Sequence, residues 1–358
     1  MKIKRVNNVL EIMKERGLSQ LLINDIYSIY YLTGVYIDSG ERFFSLLLKT
    51  NGEHKLFVNR LFLLQANCLV DKVIYSDTDS IMNIVSKYLD SNTPLGVDKE
   101  LPAKFLLPLI HGGAAKEYKI GSLCIDQVRG IKDKEEQDKM RIVSKINDSA
   151  MERLKNIIIP GISEKEAANK LLDIYYELGA DEYSFEPLIA FGENAAEPHH
   201  SVDNTILKDG DCILFDIGCK KNMYCADMTR TFFYKQVSEE HQKIYDCVKQ
   251  ANEKAIHQIK PGIRFKDIDQ VARTYIEDAG YGDKFTHRLG HFIGIEVHEY
   301  GDVSESNSDI IQEGMIFSIE PGIYIQGDVG VRIEDLVMVT KDGCELLNYY
   351  SKVLEVII

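Results

Sequence analysis

Ile213-Leu214-Phe215-Asp216-Ile217-Gly218-Cys219-Lys220-Lys221-Asn222-Met223-Tyr224-Cys225-Ala226-Asp227-Met228-Thr229 sets one aspartate inside each of two apolar runs, with a polar turn at Lys220-Lys221-Asn222 between them. Runs of this kind read as the two strands of a hairpin. A hairpin centred between Lys221 and Asn222 puts Asp216 directly opposite Asp227. Like charges facing each other across a ladder are destabilising, so the pair calls for an explanation.

The pattern recurs near the C-terminus. Ile316-Phe317-Ser318-Ile319-Glu320 precedes Pro321-Gly322, and Gly330-Val331-Arg332-Ile333-Glu334-Asp335 follows a turn at Gln326-Gly327-Asp328. A hairpin centred on Gly327 sets Glu320 opposite Glu334. A charge buried without a partner is costly, and proteins avoid it by neutralising or pairing the group. Four acids must therefore share protons, meet basic side chains or bind cations. Arg332 shares a strand face with Glu334 and can neutralise one charge, but not four. Two divalent cations balance four carboxylates in full. Exposure at a strand end is the plain alternative for any single acid, and a poor account of all four.

Between the two hairpins lies His287-Arg288-Leu289-Gly290-His291-Phe292-Ile293-Gly294-Ile295-Glu296-Val297-His298-Glu299. Gly290 and Gly294 bracket His291 and let backbone approach it closely. Imidazole suits zinc, manganese, cobalt or iron, and carboxylates favour the harder ions. One histidine with four carboxylates reads as an oxygen-rich two-metal site. The segment is not H-E-x-x-H, which excludes the single-zinc protease motif.

Outward from these hairpins the second part of the chain repeats itself. Ile158-Ile159-Pro160-Gly161-Ile162 is followed by Lys165-Glu166, and Ile259-Lys260-Pro261-Gly262-Ile263 by Lys266-Asp267. Each match is 101 residues from its counterpart, as are Gly179 and Gly280. Each copy reads as a helix end, a Pro-Gly turn and a new helix closed by glycine. Two related halves about a pseudo-twofold axis, with a cleft between them, follow from this register. Lys134 to Asn156 carries Met140, Val143, Ile146, Ala150 and Leu154 at the spacing of one long amphipathic helix. A break is expected at Ser122 to Lys132, with the domain boundary there. The first third alternates strand-like and helix-like segments. Gln20 to Asn24 and Pro94 to Asp98 read as strands, Phe43 to Lys49 and His54 to Val58 as a hairpin around Asn51-Gly52, and Ser80 to Leu89 as a helix.

The chain has 358 residues, 45% hydrophobic and 27% charged, which are globular proportions for two domains. A net charge of −14 argues against nucleic-acid binding. Val6 to Arg16 reads as an ordinary surface helix, not a signal core, and no stretch reaches the roughly 18 apolar residues of a membrane span. Cys68, Cys124, Cys212, Cys219, Cys225, Cys247 and Cys344 form no C-x-x-C pair and read as buried free thiols in a reducing cytoplasm. Asn147-Asp148-Ser149 matches a glycosylation acceptor, which has no meaning without export.

These residues resemble the metallopeptidase family M24, the group of prolidase, aminopeptidase P and methionine aminopeptidase with the pita-bread fold. The resemblance runs from about Gly130 to the end. It is carried by Leu214 to Gly218, Ala226 to Thr231, Gly290-His291 with Val297-His298-Glu299, Ser318 to Tyr324, and Val331 to Asp335. Tyr30-Tyr31-Leu32-Thr33-Gly34 and Gly40-Glu41-Arg42-Phe43 are similar to the creatinase-type N-terminal domain, which favours the proline-directed branch.

The resemblance implies an α+β protein. A smaller α/β creatinase-type domain at 1–126 would precede a duplicated pita-bread catalytic domain at 127–358. It implies Asp216, Asp227, His291, Glu320 and Glu334 as ligands of two divalent ions, with Asp227 and Glu334 bridging. Manganese comes first among those ions, with cobalt, zinc or iron as alternatives. His199, His298 and Glu320 would be catalytic, and His287, Arg332 and Tyr324 would face substrate. The implied activity is an Xaa-Pro dipeptidase, acting on a small peptide with proline at the second position. An Xaa-Pro aminopeptidase is the alternative, and a non-catalytic binding module the rival from another class. A creatinase-like amidinohydrolase and a methionine aminopeptidase are disfavoured by the ligand set and by the N-terminal domain respectively. A homodimer in the cytoplasm is expected, with neither nucleic acid nor membrane as partner. Two departures stand out. Phe292 replaces a small residue beside a ligand, where it would narrow the pocket or redirect the loop. His200 follows His199, so that either ring can face the site, with His199 favoured by position.

Overall fold

The computed structural model describes residues 1–62 and 69–358. The chain divides into two compact units, Met1–Arg129 and Gly130–Ile358. Among the described residues no helix is long and apolar enough to cross a membrane. None of the six described cysteines is in a disulfide; five are buried and Cys344 is half-buried. Cys68 lies outside the described residues.

The first unit is built on a six-stranded mixed sheet. Its order is Asp71–Tyr75, Lys55–Asn59, Ser45–Lys49, Gln20–Ile23, Pro94–Val97, Glu117–Ile120. The hairpin expected around Asn51-Gly52 forms, with Ser45 opposite Phe57 and Leu46 opposite Leu56. The helix expected over Ser80 to Leu89 is shorter, Ile81–Ser86. The expected break at Ser122 to Lys132 is instead largely the helix Leu123–Gly130. Its Cys124 and Ile125 are fully buried, so apolar packing overrides the polar look of the stretch.

The second unit runs through one plan twice. Helices Lys134–Asn156 and Glu164–Glu177 precede strands Leu188–Phe191, Cys212–Ile217 and Met228–Tyr234. Helices Glu239–Gln258 and Phe265–Asp278 precede strands Gly290–Phe292, Ile316–Ile319 and Asp335–Val339. Within each set the three strands are antiparallel neighbours in chain order. The second helix of each set has 14 residues and starts at Glu164 or Phe265, so the repeat read from the sequence is a structural one. The paired turn glycines Gly161 and Gly262 take φ of 84° and 92°, a left-handed conformation that suits only glycine well.

The helix expected over Lys134 to Asn156 forms with those bounds. Asp133 caps it in a reciprocal capping box with Glu136, an arrangement worth about 1 kcal/mol. Met140, Val143, Ala150 and Leu154 are buried as expected, whereas Ile146 is only partly so. Asn147 takes a buried place on this helix, where its Nδ2 donates to Ile217 O at 2.9 Å. Asn252 does the same from the Glu239–Gln258 helix, donating to Ile319 O at 2.9 Å. Each half thus uses one buried asparagine to tie down the backbone beside an acid-bearing strand end, Asp216 in one case and Glu320 in the other.

The first hairpin departs from the expected register. Lys221 pairs with Tyr224 and Lys220 with Cys225, and Asp216 faces Thr229 instead of Asp227. The turn is Asn222-Met223, with φ of 51° and 71°, the two left-handed residues of a tight hairpin turn. Asp227 therefore lies two positions along from the partner of Asp216, on the same face and diagonal to it. The second hairpin keeps its expected register. Ile319 pairs with Asp335 and Gly322 with Arg332, so Glu320 falls opposite Glu334 between the two ladders.

Candidate active site

The two acid-bearing hairpins and the histidine segment meet at one cavity of about 900 Å³ within the second unit. Asp216, Asp227, His291, Glu320, Glu334 and Arg332 line it, together with His199, His287 and His298. The first half contributes Asp216 and Asp227, and the second contributes His291, Glu320 and Glu334.

His291 sits at the centre. Its Nδ1 is 3.2 Å from Phe292 O, and a carbonyl can only accept, so the ring proton is on Nδ1. That turns Nε2 toward the acids, 3.6 Å from Asp227 Oδ2, 3.6 Å from Glu320 Oε1 and 3.9 Å from Glu334 Oε1. Ser318 Oγ accepts from His291 N at 3.0 Å and donates to Glu320 Oε1 at 3.1 Å, fixing two of these groups with one hydroxyl. Thr229 Oγ1 donates to Glu334 Oε2 at 2.8 Å.

Charge is not balanced among these residues. The one buried cation of the cluster, Arg332, gives its Nη2 to Asp216 Oδ2 at 2.7 Å, its Nη1 to Tyr324 Oη at 2.9 Å and its Nε to Thr229 Oγ1 at 3.1 Å. It pairs with Asp216 and not with Glu334, contrary to the strand-face expectation, because Asp216 comes across from the facing sheet. Asp216 Oδ1, Asp227 Oδ1 and Glu334 Oε1 are buried without a hydrogen-bond partner. Burial, then Asp216 and Glu320, push the Asp227 carboxyl well up. Burial, then Asp227 and Glu320, do the same to Glu334. Unpartnered oxygens on three of the carboxylates, beside an imidazole nitrogen, are a donor set for hard or borderline divalent cations. Asp227, His291 and Glu334 bring ligand atoms within 4.8 Å of one another, and Glu320 adjoins them.

The surrounding residues are held from outside. Arg230 Nη1 donates to Thr229 O at 2.9 Å and to Glu334 O at 2.6 Å, and its Nη2 reaches the buried Asp335 at 2.7 Å. Tyr324 Oη donates to His287 Nε2 at 2.9 Å, while His287 Nδ1 donates to Arg288 O at 2.7 Å. Both nitrogens of His287 are thus engaged within the protein, and burial lowers its pKa, so the ring is a neutral wall of the cavity. His298 stands edge-on to His291 with centroids 4.2 Å apart. Although it opens on the cavity, desolvation and then the His291 ring push its pKa down to about 4.

The two sequence departures resolve differently. Both rings line the cavity, but His200 Nε2 is taken up by Glu164 Oε2 at 2.7 Å, so His199 is the one whose ring is left to serve substrate. Phe292 does not narrow the pocket. It is buried against Phe265 and Phe317, at centroid separations of 5.3 and 5.7 Å. The room comes from Gly301, where a Cβ would lie 2.6 Å from the Phe292 ring. A bulge at His291/Phe292 lets the strands re-register around it. Sequence reading missed Ser318, Glu164, Lys132 and Arg230 as supporting residues. Ser163-x-x-Glu166 was a capping-box signal that could have drawn attention to Glu164; the others carry no local signal, because their partners are far away in sequence.

Residues 138–341 match the model of metallopeptidase family M24, and residues 5–131 match the creatinase/prolidase N-terminal domain. An uncharacterised peptidase of Staphylococcus aureus strain MSSA476 is 36% identical over 352 residues, covering 97% of this chain and 99% of that protein. The crystal structure of a recombinant prolidase from Thermococcus sibiricus superposes with a TM-score of 0.94 at 33% identity, covering 99% of each chain. That of a dipeptidase from Pyrococcus horikoshii OT3 gives 0.93 at 33% identity, covering 98% of this chain and 99% of the other. The chain belongs to metallopeptidase family M24 and is a peptidase of creatinase-type N-terminal and pita-bread C-terminal architecture.

Proposed function

We propose that this family member hydrolyses Xaa-Pro dipeptides with two divalent cations held by Asp216, Asp227, His291, Glu320 and Glu334. The observation that carries the reading is the convergence of Asp227, His291 and Glu334, with ligand atoms within 4.8 Å of one another, where Asp216, Asp227 and Glu334 each keep a buried oxygen without a partner. When bound, such cations polarise a scissile carbonyl and make water acidic enough to supply hydroxide near neutral pH. The chain's own residues do the rest. Glu320, steadied by Ser318, takes a proton from the attacking water and returns it to the departing prolyl nitrogen. His298 and His199 offer N–H donors to the oxygen on which negative charge develops. Arg332 neutralises Asp216 and, through the buried Tyr324, holds His287 at the cavity wall.

Arg288 supports the dipeptidase over the aminopeptidase. It is exposed on the cavity wall and has no ion-pair partner among the described residues, whereas Arg332 is fully engaged. A dipeptide carries a free carboxylate one residue beyond the scissile bond, which an unengaged guanidinium can receive. We expect manganese as the ion, a homodimer as the working state and the cytoplasm as the compartment. Metal add-back, light scattering and cell fractionation check these in turn.

The deciding assay compares Xaa-Pro with Xaa-Pro-Xaa peptides after chelation and after each metal is restored. The expected result is metal-dependent cleavage favouring the dipeptide by at least about tenfold in kcat/KM, the worth of one charge-assisted contact. Equal or faster cleavage of the longer peptide favours the Xaa-Pro aminopeptidase reading. Failure to cleave either peptide with metal bound removes both.

A further inference from the structure

We propose that two buried pairs, Glu164 with His200 and Lys132 with Glu299, aim the cavity rings of His199 and His298 by fastening the residue that directly follows each ring. The roles of the two rings rest on the peptidase reading above; the fastening rests on geometry alone.

Glu164 is the first residue of its helix and is fully buried. Its Oε1 accepts from Phe191 N at 2.8 Å and from Asn194 Nδ2 at 3.0 Å. Its Oε2 takes His200 Nε2 at 2.7 Å and Asp203 N at 3.1 Å. One carboxylate thus joins a helix start, a strand end and the 197–203 loop. Glu164, His200 and Asp203 also bring ligand atoms within 4.8 Å, the spacing of a cation site. Both Glu164 oxygens are already committed to four donors, so the cluster is a joint and not a further metal site.

The second pair has the same logic. Lys132 Nζ reaches Glu299 Oε2 at 2.9 Å, with the two side chains only 1% and 5% exposed. Glu299 Oε1 accepts from Ile295 N at 3.0 Å, closing the 295–299 loop on itself. Gly294 makes the room, since a Cβ there would lie 2.7 Å from that carboxylate. Lys132 comes from the start of the unit, 167 residues away in sequence.

Pinning a side chain fixes the peptide before it, and so the direction in which the preceding side chain leaves the backbone. His199 precedes His200, and His298 precedes Glu299. Both cavity rings sit on loops, and a donor on a loose loop loses the alignment that makes it useful. Glu164, Lys132 and Glu299 are positioning residues in this sense.

The test is a set of four mutant cycles, two variants each combined with two histidine changes. Glu164→Gln keeps the size of the side chain but loses half of its acceptors. Lys132→Met with Glu299→Gln removes both charges, so that neither is left buried alone. Each is expected to lower kcat on an Xaa-Pro dipeptide about tenfold to hundredfold, with KM and bound metal little changed at a temperature where the variant is fully folded. Glu164→Gln should add nothing to His199→Ala and add fully to His298→Ala, and the Lys132/Glu299 variant should do the reverse. Additivity of both variants with both histidine changes overturns the proposal. So does loss of metal in step with activity. Histidine ring NMR on the zinc-loaded full chain gives a readout independent of turnover. Glu164→Gln should broaden or split the His199 ring signals and leave those of His298 in place. Unchanged His199 signals overturn the proposal even if the wild-type chain cleaves no Xaa-Pro peptide, an outcome that by itself sinks only the proposed function.

Discussion

Arg332 Nη2 lies 2.7 Å from Asp216 Oδ2, across 116 residues of sequence, and this contact divides the site. One of the four carboxylates is neutralised by the protein, and the remaining negative charge is left for something else to balance. The same guanidinium also holds Tyr324 and Thr229. Lysine has one point of charge and cannot reproduce three directed donors. Arg332→Lys should lower kcat about tenfold or more while bound metal stays near the wild-type level. Wild-type turnover in that variant would count against the assignment.

Asp227 should be indispensable for metal. It is buried, has an oxygen without a partner and stands beside His291 and Glu334. Asp227→Ala should lose at least one ion per chain by elemental analysis, and activity should fall more than about hundredfold. Full stoichiometry together with full turnover would remove Asp227 from the ligand set.

Arg288 should act on substrate length. Arg288→Met is expected to raise KM for an Xaa-Pro dipeptide about tenfold to hundredfold, the worth of one charge-assisted hydrogen bond. The loss should be confined to substrates with a free prolyl carboxylate. An equal loss on the C-terminally amidated dipeptide would show that Arg288 does something else.

Gly301 should tolerate no side chain. Its φ is 115°, and a Cβ would strike the Phe292 ring. Gly301→Ala combines backbone strain with overpacking and should cost about 2 kcal/mol or more in urea unfolding. A stability equal to wild type would mean that the bulge beside His291 relaxes freely.

Glu345 should give an acid-dependent increment of stability. Hydrogen bonding to Arg141, at 2.8 and 2.7 Å, outweighs burial and holds its carboxyl below the usual range. A depressed carboxyl stabilises the fold above its unfolded pKa of about 4.3, and the benefit is lost as pH falls through the lower folded value. The pair is partly exposed, so Glu345→Gln should cost no more than about 1 kcal/mol at pH 7. The difference from wild type should shrink toward zero below about pH 3. A difference that grows in acid would reverse the assigned sign.

The sequence carried most of the scaffold of the second unit. Periodicity marked Lys134–Asn156 to the residue, and the glycine register exposed the duplication. The second hairpin was legible because Gly327 marks its turn. The first was not, because two non-glycine residues, Asn222 and Met223, adopt left-handed conformations, and only the assembled sheet shows that they do. The partner of Arg332 was hidden for a related reason. Strand alternation ranks Glu334 first, whereas the contact comes from a strand of the other half. His199 and His200 could not be told apart without Glu164, which lies 36 residues from His200 and has no motif linking it to that ring. Local pattern was therefore a good guide to which acids come together, and a poor one to what each of them touches.

The division of the donor set between the two halves also bears on synthesis. Asp216 and Asp227 leave the ribosome more than ninety residues ahead of Glu334. Until the last hairpin closes over them, their carboxylates stay hydrated, without Arg332 or Glu334 beside them. On the proposed ligand set, a nascent or truncated chain that ends before Glu334 lacks one of the five donors, so the site is completed only by the final strands.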